Sequence, residues 1–311
     1  MNKKVIIALG GNALIKKEQT GNIYEQFSNT RKISESIVKI IKEKFRVVIT
    51  HGNGPQVGSI LLQNNAARNK LPPMPLGICV AESEGLIGYM IQQCMYNKLI
   101  ESKIEKDVVT LITQVLVDKN DSSFLNPIKP IGPLFNEIEA QELIEDGYKI
   151  NKYDNGWRIV VPSPDPISII ESDIIKKLVD EDIIIIAAGG GGMPVINNKN
   201  KLDGVEAVVD KDLASERLAE SIDADILMIL TNVDRVYLNY NKPNQKSIDR
   251  INLPKLKKYY NNGHFPDGTM GPKILAAIRF LEFGGEKVII SNVDKAWESI
   301  NKKTGTHITK T

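Results

Sequence analysis

The chain has 311 residues, enough to bury one large α/β domain or two lobes of ordinary size. Its 40 Lys plus Arg against 38 Asp plus Glu leave a formal charge of +2, which excludes a global field for gripping nucleic acid or an anionic membrane, so any anion site must be local. The two cysteines, Cys79 and Cys94, fit neither a metal-ligand spacing nor a disulfide framework and are expected as core thiols of one helix.

The start, Met-Asn-Lys-Lys and a short apolar run into glycines, lacks the pattern of a secretory signal, and no apolar run approaches the roughly 20 residues of a membrane span. A soluble, cytoplasmic protein is expected. "VIIAL" then reads as a buried strand, and "NTRKISESIVKIIKEK" as a helix with Ile33, Ile37, Ile40 and Ile41 on one face. "RVVIT" is a second strand, broken by "HGNGPQVG". "QVGSILLQNNAARNK" and "GLIGYMIQQCMYNKLI" read as helices before "VVTLITQVLV" returns to a strand. From 118 to 162 the text fills with Pro, Gly, Asn and charge, which suits an inserted subdomain better than a core layer.

The alternation then resumes. "IIIIAAGGGG" is a buried strand ending in four glycines, "EAVVDKDLASERLAESI" enters a helix, and "DILMILTNVDRVY" is a strand with a polar end. "GTMGPKILAAIRFLEFGG" is a helix and "EKVIIS" a strand that closes the sheet. Short β-branched runs alternating with helical segments predict an α/β fold, a mostly parallel sheet covered by helices.

Three strand ends carry glycine clusters: Gly10-Gly11-Asn12, Gly52-Asn53-Gly54 and Gly189 to Gly192. In a parallel sheet these ends share one edge, where open α/β folds bind ligands, and three backbone nests there imply an extended anion of several phosphates. The dinucleotide pattern G-x-G-x-x-G and the Walker pattern G-x-x-x-x-G-K-[ST] are both missing, so lysines must come from elsewhere. Lys129 in "NPIKPIGP", Lys211 in "VVDKDLASE" and Lys273 in "MGPKILAA" stand out because Pro, Gly or Asp flank them. Lys211 sits at a helix start between Asp210 and Asp212, an arrangement that orients an ammonium toward phosphate. His51, His264 and His307 form no pair at ligand or triad spacing, and no G-x-S-x-G or H-E-x-x-H occurs. Metal and serine hydrolase readings are weak. Trp157 and Trp297 are expected as packing residues.

With "ALGGNAL", "HGNGPQVG", "SEGLIGY", "TQVLVD", "NPIKPIGP", "GWRIVVPSP", "GGGGMPV", "GVEAVVDKDLASE", "LTNVD" and "GHFPDGTMGPK" in order over nearly its whole length, the chain resembles the carbamate kinases of the amino-acid kinase superfamily. The resemblance implies a three-layer αβα sandwich over 1–311, with an N-terminal lobe (about 1–200) for carbamate or carbamoyl phosphate and a C-terminal lobe (about 201–311) for nucleotide. It implies that the partners are ATP/ADP and carbamate/carbamoyl phosphate with Mg²⁺, and that the protein is a homodimer. The protruding 118–162 is expected to act as a lid, because Pro127 and Pro130 stiffen the chain around Lys129 while the Asn- and Asp-rich stretches about it can hinge. Gly10, Gly11, Asn12, Gly52, Asn53 and Gly54 would line the carbamoyl-phosphate side. Lys129, Lys211 and Lys273 would hold the transferring phosphoryl, with Asp210 orienting lysines. Thr231, Asp234, Tyr237, Met270 and Lys273 would border the nucleotide, and no residue is assigned as a direct metal ligand.

Two positions depart from the family pattern: "YDNGWRIVV" lacks a glycine-arginine step, and Glu84 stands where Gln is common, so an ionised side chain there would weaken an anion site unless it points away. The implied chemistry fits the missing histidine base. Carbamate is already an oxygen anion, so transfer needs in-line positioning and charge neutralisation, not proton removal. The competing readings are a superfamily kinase with another small acid or a nucleotide monophosphate as acceptor, a catalytically silent nucleotide-binding relative, and a dinucleotide oxidoreductase.

Overall fold

An unbroken apolar run such as Val5 to Leu9 is stable only where both faces of its strand are covered. In the computed structural model, which describes residues 2–16, 18–266 and 268–311 and only the backbone of Asn12, that run is strand β1 (Lys4–Leu9), buried within the main sheet. A single turn, α1 (Gly11–Leu14), leads to α2 (Ile23–Lys42). This helix starts earlier than the expected Asn29 because Asn22 caps it: the Asn22 side chain accepts from the Glu25 N–H at 3.1 Å and the Glu25 carboxylate accepts from the Asn22 N–H at 3.2 Å. Strand β2 (Arg46–His51) lies parallel to β1. Helices α3 (Gly54–Ala66) and α4 (Leu76–Glu101) follow, with Cys79 and Cys94 both buried on α4.

The expected strand across "VVTLITQVLV" is two strands. β3 (Val108–Thr110) joins the main sheet, while β4 (Gln114–Val117) belongs to a second sheet. Thr113 holds the break: its N–H donates to the buried Glu84 carboxyl at 2.8 Å, and its hydroxyl donates to Leu111 O at 2.8 Å while accepting from the Ala188 N–H at 2.9 Å.

Within the inserted region, β5 (Lys129–Phe135), α5 (Glu137–Glu145), β6 (Ile150–Tyr153) and β7 (Gly156–Val161) build a separate antiparallel sheet of order β5-β7-β6. β8 (Pro166–Ile169) returns to the second sheet, α6 (Ser172–Asp180) follows, and β9 (Ile184–Ile186) lies beside β2 in the main one. β10 (Met193–Asn198) and β11 (Lys201–Gly204) complete the second sheet, order β11-β10-β4-β8. Next come α7 (Lys211–Ser221) and β12 (Ile226–Thr231). "DILMILTNVDRVY" is thus also broken, since β13 (Val236–Leu238) pairs with β14 (Lys246–Ile248) as a hairpin.

β15 (Arg250–Asn252), α8 (Leu253–Asn261), α9 (Gly271–Phe283), β16 (Lys287–Asn292), α10 (Ala296–Ile300) and β17 (Thr306–Thr309) complete the chain. The main sheet runs β15-β17-β16-β12-β1-β2-β9-β3. "EKVIIS" therefore does not close it. β17 pairs antiparallel with β16, and β15 parallel with β17, so these two cover what would otherwise be an open edge.

Alternate residues of the strands serve opposite faces. Ile6, Ala8 and Ile229 pack with α6, α7 and α9, while Val5, Ile7 and Met228 pack with α2, α4 and α10, giving three layers. A third cluster joins Val57 of α3 and Cys79 of α4 to Ile131, Leu143 and Ile159 of the small antiparallel unit. No described helix is long and apolar enough to cross a membrane.

Candidate active site

β1, β2 and β9 are parallel neighbours, so their three glycine-bearing ends meet on one edge of the sheet. They border a cleft of about 250 Å³ whose wall includes Gly10, Gly11, Gly52, Asn53, Gly54 and Gly190. The side chain of Asn12 lies outside the described residues. The four-glycine run serves differently from the expected nest, since only Gly190 of it reaches this cleft. Gly190 has φ +65°, and a Cβ there would collide with the Asn53 amide, so the position serves close packing as well as ligand access. Asn53 is held from behind: its Nδ2 donates to Ser83 Oγ at 2.8 Å, and that hydroxyl donates to Val80 O at 2.6 Å.

The three lysines converge on the same cleft from three separate elements: Lys129 opens β5, Lys211 opens α7, and Lys273 lies in the first turn of α9. Asp210 is the N-cap of α7, its carboxylate accepting from the Asp212 N–H at 2.9 Å. It orients one lysine, Lys129, by an ion pair. The other two belong to Asp212, which binds Lys211 and, at 2.8 Å, Lys273. Burial would raise both carboxyls. Lys129 outweighs it at Asp210, and Lys211 with Lys273 outweighs it at Asp212, so both aspartates stay below the usual carboxylate range. Burial also pulls the ammonium groups down. At Lys211 it wins and the pKa falls below the ordinary lysine value, whereas at Lys273 the attraction of Asp212 prevails and the pKa rises.

Arg158 of β7 adds a fourth cation to the wall, with Nη2 donating to Gly132 O at 2.6 Å and Nε buried without a partner among the described residues. Arg158 is not singled out by the sequence, and Asp212 is marked there only as a flank of Lys211, not as the partner of Lys273. The available signal for Arg158 was a charged residue inside the apolar run "WRIVV"; for Asp212 it was the Asp-Lys-Asp triplet itself.

A second cavity of about 360 Å³ adjoins the first, sharing Thr231, Gly268, Thr269 and Lys273. Tyr237, Tyr240, Phe265 and Met270 make it aromatic and apolar, with the two tyrosine rings 5.9 Å apart and tilted by 44°. Of the expected nucleotide residues, Thr231, Tyr237, Met270 and Lys273 line it. Asp234 does not, because its carboxylate is turned to Lys295 at 2.6 Å.

Glu84 is buried, donates no charge to the cleft wall, and accepts the Thr113 N–H. Burial pushes its pKa well above the usual carboxylate value, and because the carboxyl faces Thr113 and not the cleft, the repulsion expected from a charge pointing at the anion site does not arise. His51 is buried behind the glycines and pushed down to about 4 by burial, a neutral packing group. His264 stacks edge-on against Tyr259 at 5.2 Å, and His307 Nε2 lies 2.9 Å from Thr304 O. Trp157 and Trp297 line neither cavity; Lys152 sits over the first at 5.2 Å, and Lys39 and Lys303 over the second at 5.6 and 5.1 Å. A cationic, glycine-walled cleft beside an aromatic slot is suited to moving a phosphoryl group between a nucleotide and a small acceptor that needs no histidine base.

Comparison with known proteins gives the same direction. Residues 3–292 match the amino acid kinase family. A carbamate kinase of Pyrococcus furiosus is 51% identical over 99% of this chain and 99% of its own. The structure of carbamate kinase from Giardia lamblia bound to AMP-PNP is 42% identical, covers 99% of this chain and 98% of its own, and superposes with a TM-score of 0.92. The citric acid complex of the Giardia lamblia enzyme gives 41% identity at the same coverage and a TM-score of 0.94.

Proposed function

Because this chain belongs to the amino acid kinase family, we propose that it is an ATP:carbamate phosphotransferase, interconverting ATP and carbamate with ADP and carbamoyl phosphate. The observation that carries the reading is the convergence of Lys129, Lys211 and Lys273 on one glycine-walled cleft that opens into the aromatic slot. The purine would lie by Tyr237 and Tyr240, the phosphate chain would run past Thr231 and Lys273, and the carbamoyl group would rest against Gly10, Gly11, Gly52 and Asn53.

In this reading the lysines neutralise charge spread over the equatorial phosphoryl oxygens, while backbone N–H groups fix the line of attack. Asp210 and Asp212 keep the lysines apart and aimed. No described side chain needs to remove a proton, since carbamate arrives as an anion. Mg²⁺ would enter bound to the nucleotide phosphates, and in this structure both cleft aspartates are engaged by lysines.

Carbamoyl phosphate is a mixed anhydride, so supply of it drives the reaction toward ATP, as at the end of arginine fermentation in the cytoplasm. Residues 118–162 act as a lid that carries Lys129 onto the phosphoryl group and excludes water. The exposed stripe of Ile78, Leu86, Tyr89, Tyr96 and Ile100 on α4 supports a homodimer through that helix.

The deciding assay is ATP formation from MgADP and carbamoyl phosphate, with carbamate compared against glutamate in the reverse direction. A folded sample that makes no ATP, or that prefers glutamate, would overturn the assignment.

A further inference from the structure

At the amino end of the main sheet, opposite the edge that carries the lysine cleft, β15, β16 and β17 border another cavity of about 450 Å³. Its wall follows from register. Lys287 pairs with Thr309 across β16 and β17, while Arg250 pairs with His307 and Asn252 with Thr309 across β15 and β17. Residues paired in register project from the same face, and Ile289, two pairs further on, shares that face opposite His307. Arg250, Lys287 and His307 thus stand together, and Lys302 joins them from the turn after α10.

Among the described residues Arg250, Lys287 and Lys302 make no salt bridge, although Thr311 and its carboxylate also line the cavity. The carboxylates next in sequence are taken elsewhere: Glu286 is paired with Lys3, and Asp249 with Arg235 at 3.1 Å. His307 is 8% exposed; its Nε2 is engaged by Thr304 O, while its Nδ1 is buried with no partner among the described residues. Burial, the largest cause, and then Lys287, Arg250 and Lys302 hold the pKa of His307 down against the Thr304 hydrogen bond; at Lys287 burial again leads, with Lys302 and Lys3 lowering the pKa and Glu286 opposing them. Lys287 pairs with Ile226 at one end of the β12–β16 ladder and Asn292 with Thr231 at the other, so this cavity lies on the order of 20 Å from the lysine cleft.

We propose that this cavity is a second anion site, one that takes a compact multivalent oxyanion of the phosphate class. Three permanent cations call for more than one negative charge, which a phosphate group supplies and a single carboxylate does not. The Arg250 fork, two ammonium groups and the Asn252 amide provide donors on several sides, while the Thr309 hydroxyl already donates to Thr311 O at 2.7 Å. The free Nδ1 of His307 becomes one more donor when protonated, so the anion and a proton on His307 bind together. Occupancy would pin β15 and β17 to the sheet edge.

The test is titration of the histidine imidazole signals by NMR with inorganic pyrophosphate as probe; the chain has 3 histidines, and His307→Gln identifies the relevant signal. Running it also in Lys129→Ala/Lys273→Ala, which removes two of the four cations of the lysine cleft, weakens binding there. Pyrophosphate is expected to raise the titration midpoint of His307 by about 1 in both proteins. The exposed double variant Arg250→Ala/Lys302→Ala should lose that response while remaining folded. A midpoint that does not move, that moves as much in Arg250→Ala/Lys302→Ala, or that moves as much with sodium chloride at equal ionic strength would overturn the proposal.

Discussion

Lys129 and Asp210 are ion-paired although 81 residues separate them, so the small antiparallel unit is tied to the start of α7 at the centre of the cleft. The same unit meets α3 where Gly58 and Gly132 touch backbone to backbone, and a Cβ on Gly58 would overlap Gly132. Lys129→Ala should lower turnover on the order of 100-fold to 1000-fold, with a much smaller change in MgADP affinity. Gly58→Ala should displace the unit and lower turnover with Lys129 intact. Steady-state kinetics beside nucleotide titration separate the two effects. Normal turnover in Gly58→Ala would show that the seating of this unit does not set the position of Lys129.

Gly11 and Gly52 make a contrasting pair. A Cβ on Gly11 would meet only Pro55 Cδ, at 3.7 Å, whereas one on Gly52 would lie 3.0 Å from Gly11 N. Gly11→Ala should therefore stay within about 0.5 kcal/mol of the parent in stability while losing activity to the methyl placed in the cleft. Gly52→Ala should lose both. Thermal melts and kcat/KM measured on the same samples check this, and a fully active Gly11→Ala would remove Gly11 from the substrate wall.

Asp212 holds two lysines and Asp210 one. Asp212→Asn should therefore cost more activity than Asp210→Asn. It also removes the attraction that opposes burial at Lys211 and Lys273, so both ammonium groups lose their protons at lower pH. The alkaline limb of the kcat/KM profile should move toward neutrality in Asp212→Asn. An unmoved limb would mean that neither lysine titrates in the working range.

Glu216 of α7 is fully buried, with neither carboxylate oxygen hydrogen-bonded among the described residues. Burial, only partly offset by Arg217, pushes its pKa from 4.5 up to about 7. The native state therefore holds a proton that the unfolded chain has released, and stability contributed by this group is present below 4.5 and lost as pH rises through 7. Glu216→Gln should be more stable than the parent at pH 8, by up to about 3 kcal/mol, with the gap shrinking in acid. Urea unfolding at two pH values measures it; a gap independent of pH would refute the account.

Legibility in the sequence followed the range of the interactions. β1, β2 and β9 could be read because their cover is written into consecutive apolar residues, and the glycines at their ends are a local backbone demand. Lys129, Lys211 and Lys273 could be picked out because Pro, Gly and Asp mark each one locally. Thr113 could not: it breaks a strand-like run through Glu84, and nothing within the run encodes that partner. Asp212 looked like a flanking charge until the fold brought Lys273 to it, and Tyr240 and Phe265 join the aromatic slot only through loop geometry. Asp234 is the converse case, a polar strand-end residue whose neighbour Lys295 takes it away from the cavity.

Cys79 belongs to the apolar cluster shared by α3, α4 and the small antiparallel unit, while Cys94 lies further along α4 and outside that cluster. Burial pushes the Cys79 thiol up to about 11, so in the docked arrangement little thiolate is available to a disulfide reagent. The chain thereby carries its own chemical clock. The rate at which an aromatic disulfide labels Cys79, referenced to Cys94, reports how often the unit lifts from α3 and α4. Bound nucleotide and carbamoyl phosphate together should slow the Cys79 reaction and leave the Cys94 reaction as it was.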